Sequence, residues 1–157
     1  MEYPIDLPGG GQESTKTLCE GLAAGGRYKP VVACPTLLST SPSDYSYRIV
    51  TYSSDENREL SKIRRISNFL ARIGHFARII RQVRPDLIHV MMSESIITFG
   101  ALRVPGFFRG IPFIYTDRGL RFGYRKHSLV CIRETMKRAV CMITTTRFNA
   151  DLWKDSI

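Results

Sequence analysis

The chain has 157 residues, about one domain's worth, and can bury roughly two-thirds of its unfolded surface. Its 43% hydrophobic and 24% charged content is that of a globular protein; no run of 18 apolar residues is present to span a membrane, and the N-terminus does not read as a signal peptide. The outlier is a net charge of +9 with an isoelectric point near 9.7, which implies an anionic partner: nucleic acid, a membrane surface or phosphorylated substrates.

Cys19, Cys34, Cys131 and Cys141 have no metal-like spacing, sit among apolar residues and read as reduced, buried thiols of a cytosolic protein. There is no internal repeat and no low-complexity segment.

In chain order, Leu7-Pro8-Gly9-Gly10-Gly11 forms a glycine hinge that opens into a helix from about Gln12 to Ala24, stopped by Gly25-Gly26. Glycines let the backbone approach a ligand closely, and the N–H groups and positive end of the following helix suit an anion such as a diphosphate. The alternative is a flexible turn before a surface helix, since neither GxGxxG nor GxxxxGK[ST] is present. Lys29–Pro35 is a short apolar strand, residues 36–46 form a loop, and Tyr47–Tyr52 is a second strand. Asp55 to Val83 carries one apolar stripe through Leu60, Ile63, Ile66, Leu70, Ile73, Ile80 and Val83, and Pro85 ends this helix. Asp86–Met91 is the third strand, and Ser93–Phe108 is a helix broken by Pro105-Gly106. Ile111–Thr116 is the fourth strand, leading into Asp117-Arg118-Gly119; a helix follows over about Leu129–Arg138. Val140–Thr145 is the fifth strand, and a final helix begins near Phe148. Strands alternating with helices predict an α/β fold, a Rossmann-like doubly wound parallel sheet with helices on both faces. The strand that should precede the glycine turn is truncated or vestigial, because only residues 1–6 stand before it.

Five motifs in order carry a resemblance: Tyr3-Pro4-Ile5-Asp6-Leu7-Pro8-Gly9-Gly10; Leu18-Cys19-Glu20-Gly21-Leu22-Ala23 followed by Val31-Val32-Ala33; Arg84-Pro85-Asp86-Leu87-Ile88-His89-Val90; Gly110 to Gly119; and Met142-Ile143-Thr144-Thr145-Thr146. Together they resemble the N-terminal domain of a glycosyltransferase family 4 enzyme, a retaining nucleotide-sugar transferase of the GT-B type with two Rossmann-like domains. The resemblance spans nearly the whole chain. It implies a single acceptor-side domain over residues 1–157, with the donor-binding C-terminal domain and its Glu-x7-Glu pair not in this sequence, so the isolated chain is expected to be inactive.

The implied parent enzyme moves a hexosyl or N-acetylhexosaminyl group from a nucleoside-diphosphate sugar to a polysaccharide or glycolipid acceptor, in bacterial surface-polysaccharide or glycolipid assembly. It requires no metal and no other cofactor. Gly9, Gly10 and Gly11 would face the donor diphosphate or acceptor. Two departures stand out: Met91 and Arg118 occupy positions where the family often has His, although Asp117 follows a minority "TD" form.

Ligands of open α/β sheets bind beyond the carboxyl ends of the strands, which singles out several residues. Arg118 and Asp117 are the catalytic candidates, Arg118 for phosphate or an acidic acceptor and Asp117 for a sugar hydroxyl; alternatively they pair to shape a loop. Ser93, Glu94, Thr116, Gly119 and Thr145 are acceptor-binding candidates, with helix capping the other reading of Ser93 and of Thr145 with Thr146. His89, inside an apolar strand, reads as a hydrogen-bonded core residue rather than a catalytic one.

The long helix carries eight cations to one anion, which reads either as a solvated face or as a membrane-surface element. Lys62, Arg64, Arg65 and Arg72 there, with Arg121, Arg125 and Lys126 after the fourth strand, are the candidates for membrane or anion contact. These features place the protein in the cytoplasm, with contact to the cytoplasmic membrane face. The rival reading is a non-enzymatic basic α/β protein that binds nucleic acid. Against it, the aromatic residues form no stacking array and no nucleic-acid motif is present.

Overall fold

A computed structural model describes residues 3–52, 62–118 and 126–154. Its elements are α1 (Gly10–Ala24), β1 (Val31–Pro35), β2 (Arg48–Tyr52), α2 (Lys62–Val83), β3 (Ile88–Met91), α3 (Ser93–Arg103), β4 (Phe113–Asp117), α4 (Lys126–Met136), β5 (Cys141–Thr144) and α5 (Arg147–Lys154). The chain divides into two compact units, Met1–His75 and Phe76–Ile157, with the boundary inside α2. Strand pairing is parallel throughout, and the strands alternate with helices as in a Rossmann-like α/β fold.

In the first unit β1 pairs with β2, Val31 opposite Arg48 and Pro35 opposite Tyr52. No strand forms between Tyr3 and Gly9; a turn closes there instead, with Leu7 N–H donating to Pro4 O. Ile5 nevertheless sinks fully into a core with Cys19, Val32, Cys34, Tyr47 and Ile49. This buried branched side chain helps to anchor a segment that has no strand ladder to hold it. Gln12, Thr15 and Cys19 make the buried face of α1, whereas Leu18, the apolar residue read from sequence as helical core, is exposed. The loop after β1 contains a short 3-10 turn at Pro42–Asp44, where Asp44 accepts from Ser41 N–H at 2.7 Å.

In the second unit the strand order is β3-β4-β5, with Met91 opposite Thr116 and Asp117 opposite Thr144. β4 is central and its residues are the most deeply buried of the three strands, as its apolar run predicts. β5 lies at the edge, half exposed. The core gathers Ile80, Val90, Ile96, Phe99, Phe113, Tyr115, Ile132, Met136 and Trp153. Phe99 and Phe113 meet edge to face at 4.9 Å, the favoured aromatic geometry. α3 stops as Pro105-Gly106 predicts: Phe107 N–H reaches back to Leu102 O and Gly106 N–H to Arg103 O, with Gly106 at φ +105°. This double closure is the Schellman ending, which needs a positive φ that glycine adopts without strain.

Two readings from sequence are corrected. Cys141 is exposed, because the edge position of β5 leaves it uncovered, while Cys19 and Cys34 are buried as expected. The apolar stripe of α2 is covered only toward its end. Ile80 is buried, but Ile63, Ile66 and Leu70 are 81%, 61% and 60% exposed. Of the predicted helix over residues 55–83, residues 55–61 lie outside the described residues.

Candidate functional site

The glycine turn lies in the first unit. Gly9 is the N-cap of α1, its carbonyl accepts from Glu13 N–H at 3.0 Å, and no side chain caps the helix start. The N–H groups of the first helical turn have no partner within a helix by construction, and the start of α1 falls on Gly9, Gly10 and Gly11, which carry no side chains. A Cβ at Gly9 would sit 2.6 Å from the Gln12 side chain, whereas one at Gly10 would meet nothing within 4 Å. Gln12, itself buried, folds back against Gly9 and shapes the turn.

Just ahead of the glycines is a feature that sequence reading missed. Asp6 Oδ2 accepts from the backbone N–H groups of Leu38, Ser39 and Thr40 at 2.7, 2.7 and 3.1 Å. The Ser39 and Thr40 hydroxyls add contacts at 3.4 and 3.3 Å. Desolvation pushes this carboxyl up, but the amides of Ser39, Thr40 and Leu38 together outweigh it and hold it at about 2. The segment entering the glycine turn is therefore tied to the loop after β1. Only Asp6 hints at this in the sequence, and its partners lie more than thirty residues away.

In the second unit, parallel pairing brings the carboxyl ends of β3, β4 and β5 to one edge, and most of the remaining candidates gather there. Thr116 and Asp117 end β4, but they are used differently. Thr116 Oγ1 lies 2.7 Å from His89 Nε2 on β3. Burial lowers the His89 pKa, and the Arg118 charge lowers it further. His89 is thus a hydrogen-bonded residue of the sheet beside Arg118. Asp117 is fully buried. Its Oδ1 accepts from Tyr115 Oη at 3.2 Å, and its Oδ2 accepts from Asn149 Nδ2 at 3.2 Å and Trp153 Nε1 at 2.7 Å. Asn149 and Trp153 are one turn apart on α5, so the carboxylate seats that helix at the end of β4. Sequence reading did not identify either partner. The available signal was a buried-type polar residue and the only tryptophan at i and i+4 of a short helix.

After β3, Met92 holds φ +72° as the N-cap of α3 and donates its N–H to Thr116 O at 3.3 Å. A methionine in the left-handed region is strained, and such positions cluster at functional sites. Ser93 begins α3 rather than capping it, and its side chain lies outside the described residues. Glu94 is exposed at the first turn, and Ser95 is buried beneath it. After β5, Thr145 is exposed, while Thr146 caps α5: its hydroxyl accepts from Asn149 N–H at 3.1 Å. Gly119, Arg121 and Arg125 lie outside the described residues, and Lys126 opens α4 on the surface. On α2, Arg64 is exposed and Arg72 half-buried; the side chains of Lys62 and Arg65 lie outside the described residues. Among the described residues no cluster of His, Cys, Asp or Glu could hold a metal ion, and no helix is long and apolar enough to cross a membrane.

Parallel strands alternating with helices, with a glycine turn feeding the first helix, define a Rossmann-like α/β domain. Residues 8–156 match the family described as Glycosyltransferase Family 4, and the chain belongs to that family. No curated protein matches the sequence significantly.

Proposed function

We propose that this chain is the acceptor-side domain of a retaining glycosyltransferase. It acts on the transfer of a hexosyl or N-acetylhexosaminyl group from a nucleoside-diphosphate sugar to a polysaccharide or glycolipid acceptor. The family match over residues 8–156 carries the reading. In the reaction the bond from the anomeric carbon to the diphosphate breaks, the acceptor oxygen bonds to the same face of the sugar, and the acceptor hydroxyl's proton passes to the departing diphosphate. The departing diphosphate gathers negative charge, so the main task is electrostatic. The positive end of α1, at Gly9, Gly10 and Gly11, suits that charge. At the strand edge of the second unit, Arg118 is the cation placed to meet an acceptor, with Glu94, Thr116 and Thr145 nearby along the same edge. Asp117 supports this edge by holding α5 in place rather than by touching a sugar, since its carboxylate is enclosed by Tyr115, Asn149 and Trp153. No metal is needed in this scheme.

The state of α2 favours an acceptor held at a membrane. Its residues from Lys62 to Arg84 include seven cations and no acid, and Ile63, Ile66 and Leu70 stand exposed on one face. Apolar side chains beside an excess of cations are what an anionic leaflet binds. This face of α2 supports docking of the domain on the cytoplasmic membrane surface.

The test is a transfer assay on the protein in its full natural length. Radiolabelled nucleoside-diphosphate sugars are offered with membrane extracts as acceptor source. Label should enter the lipid or polysaccharide fraction, and Arg118→Ala should reduce incorporation without changing the fold. Absence of transfer across a full set of donors, together with tight binding of DNA at physiological salt, would replace this reading with the nucleic-acid one.

A further inference from the structure

At the opposite end of β4 from Asp117, the second unit holds a cationic cluster that the proposed reaction does not use. Arg103, in the last turn of α3, is 6% exposed. A buried arginine is ordinarily paired with a carboxylate. Among the described residues no carboxylate forms an ion pair with Arg103. Its Nη1 donates to the Phe108 carbonyl, its guanidinium lies 5.3 Å from the Phe113 ring centroid, and its Nε has no hydrogen-bond partner among the described residues. Burial lowers its pKa, and the charges of Arg138 and then Arg109 lower it further, so its electrostatic neighbours are cations.

The fold sets these neighbours in place. Gly106 at φ +105° leaves the space that the Arg109 guanidinium fills. Arg138 follows α4, two residues before Val140, whose N–H donates to Phe113 O at 2.9 Å. Phe113 thus stands beside both Arg103 and the segment carrying Arg138. The nearby acid, Glu134, is half-exposed and is bonded to Lys137 at 2.6 Å. Arg138 donates to the Glu134 backbone carbonyl rather than to its carboxylate. The carbonyls ending α3 and α4 offset part of the positive charge, but no full counter-charge is present among the described residues.

We infer that Arg103, Arg109 and Arg138 form a binding site for a phosphate-bearing anion at the loop joining α3 to β4. Arginine forks suit a phosphate group in two-pronged contacts, and a bound anion would supply the charge that the buried guanidinium lacks. Within the second unit the site lies at the opposite end of β4 from the strand edge that carries Arg118.

The experiment is a titration of the isotope-labelled chain with inorganic phosphate, at ionic strength held constant with chloride and followed by amide NMR. Saturable shifts are expected in residues 103–110 and 136–140. The double variant Arg109→Ala/Arg138→Ala, exposed at both positions, should keep its fold and weaken binding by roughly tenfold, the scale of one charge-assisted hydrogen bond. Arg64→Ala/Arg78→Ala removes the same charge from exposed positions on α2 and should change the affinity less than about twofold. Equal loss in the two double variants, or shifts confined to residues 9–13, would overturn the inference.

Discussion

Replacing Asp117 by alanine tests whether the end of β4 is held by its carboxylate. In the native protein that group is 0% exposed and accepts from Tyr115 Oη, Asn149 Nδ2 and Trp153 Nε1. The substitution removes an acceptor from three buried donors, each costing about 1–3 kcal/mol when its bond is lost. The tyrosine hydroxyl can turn and a water can enter, so the three losses do not simply add. A destabilisation of about 3–5 kcal/mol follows, a large share of a total stability of about 5–15 kcal/mol. Asp117→Asn should cost less, about 1–2 kcal/mol, because its carbonyl can serve Asn149 and Trp153 while its amide donates to Tyr115. Trp153 is the sole tryptophan, so its fluorescence reports directly on α5. In urea, with a slope of about 1–3 kcal/mol/M, the alanine variant's midpoint should fall by about 2 M. An alanine midpoint within about 0.3 M of the parent, or an asparagine variant no better than alanine, would refute the reasoning.

Three further outcomes follow from the same geometry. His89 has a lowered folded pKa, so its neutral form is favoured by folding. This stability is present above the unfolded pKa near 6.5 and is lost as pH falls toward the folded value; His89→Gln should flatten that part of a stability-versus-pH curve. Asp6, held at about 2 against an ordinary 3.8, contributes stability above pH 3.8 that is lost as pH falls through about 2. Allowing for solvent screening this amounts to about 1 kcal/mol, and Asp6→Ala should show that loss at pH 7 and only a small part of it at pH 2. Ile63→Ser/Leu70→Ser should leave the melting temperature unchanged, because both residues are exposed. In sedimentation with anionic vesicles the same pair should weaken binding by at least about tenfold, from roughly 2 kcal/mol of lost apolar burial; unchanged binding would remove α2 from the membrane contact.

Much of the fold was legible because it depends on local pattern. Short apolar runs gave all five strands, and the Pro105-Gly106 pair marked the end of α3. What local pattern could not report was which faces find a partner. The spacing of Ile63, Ile66 and Leu70 is that of a core stripe, yet those residues are exposed. Periodicity shows that a helix has an apolar face, and only packing shows whether that face is covered. The same limit applies to α1, where Cys19 is buried and Leu18, its neighbour in sequence, is exposed.

For the candidate site, the sequence shows which residues follow the strands but not what each side chain touches. Thr116, Asp117 and Arg118 follow a strand and were read together as ligand contacts. Alternation along a strand sends neighbours to opposite faces, and here it separates them. Asp117 shares a face with Tyr115 and turns to Asn149 and Trp153, 32 and 36 positions away, a distance no local motif spans. Thr116 bonds His89 on β3, and Arg118 is close enough to depress the His89 pKa. The two catalytic candidates should therefore fail differently. Asp117→Ala should lose activity by losing structure, with urea midpoint and rate falling together. Arg118→Ala should lose transfer while the urea midpoint stays put. If both variants lost transfer with their stability intact, Asp117 would have to be reaching substrate, and the enclosed carboxylate would be the wrong description of that edge.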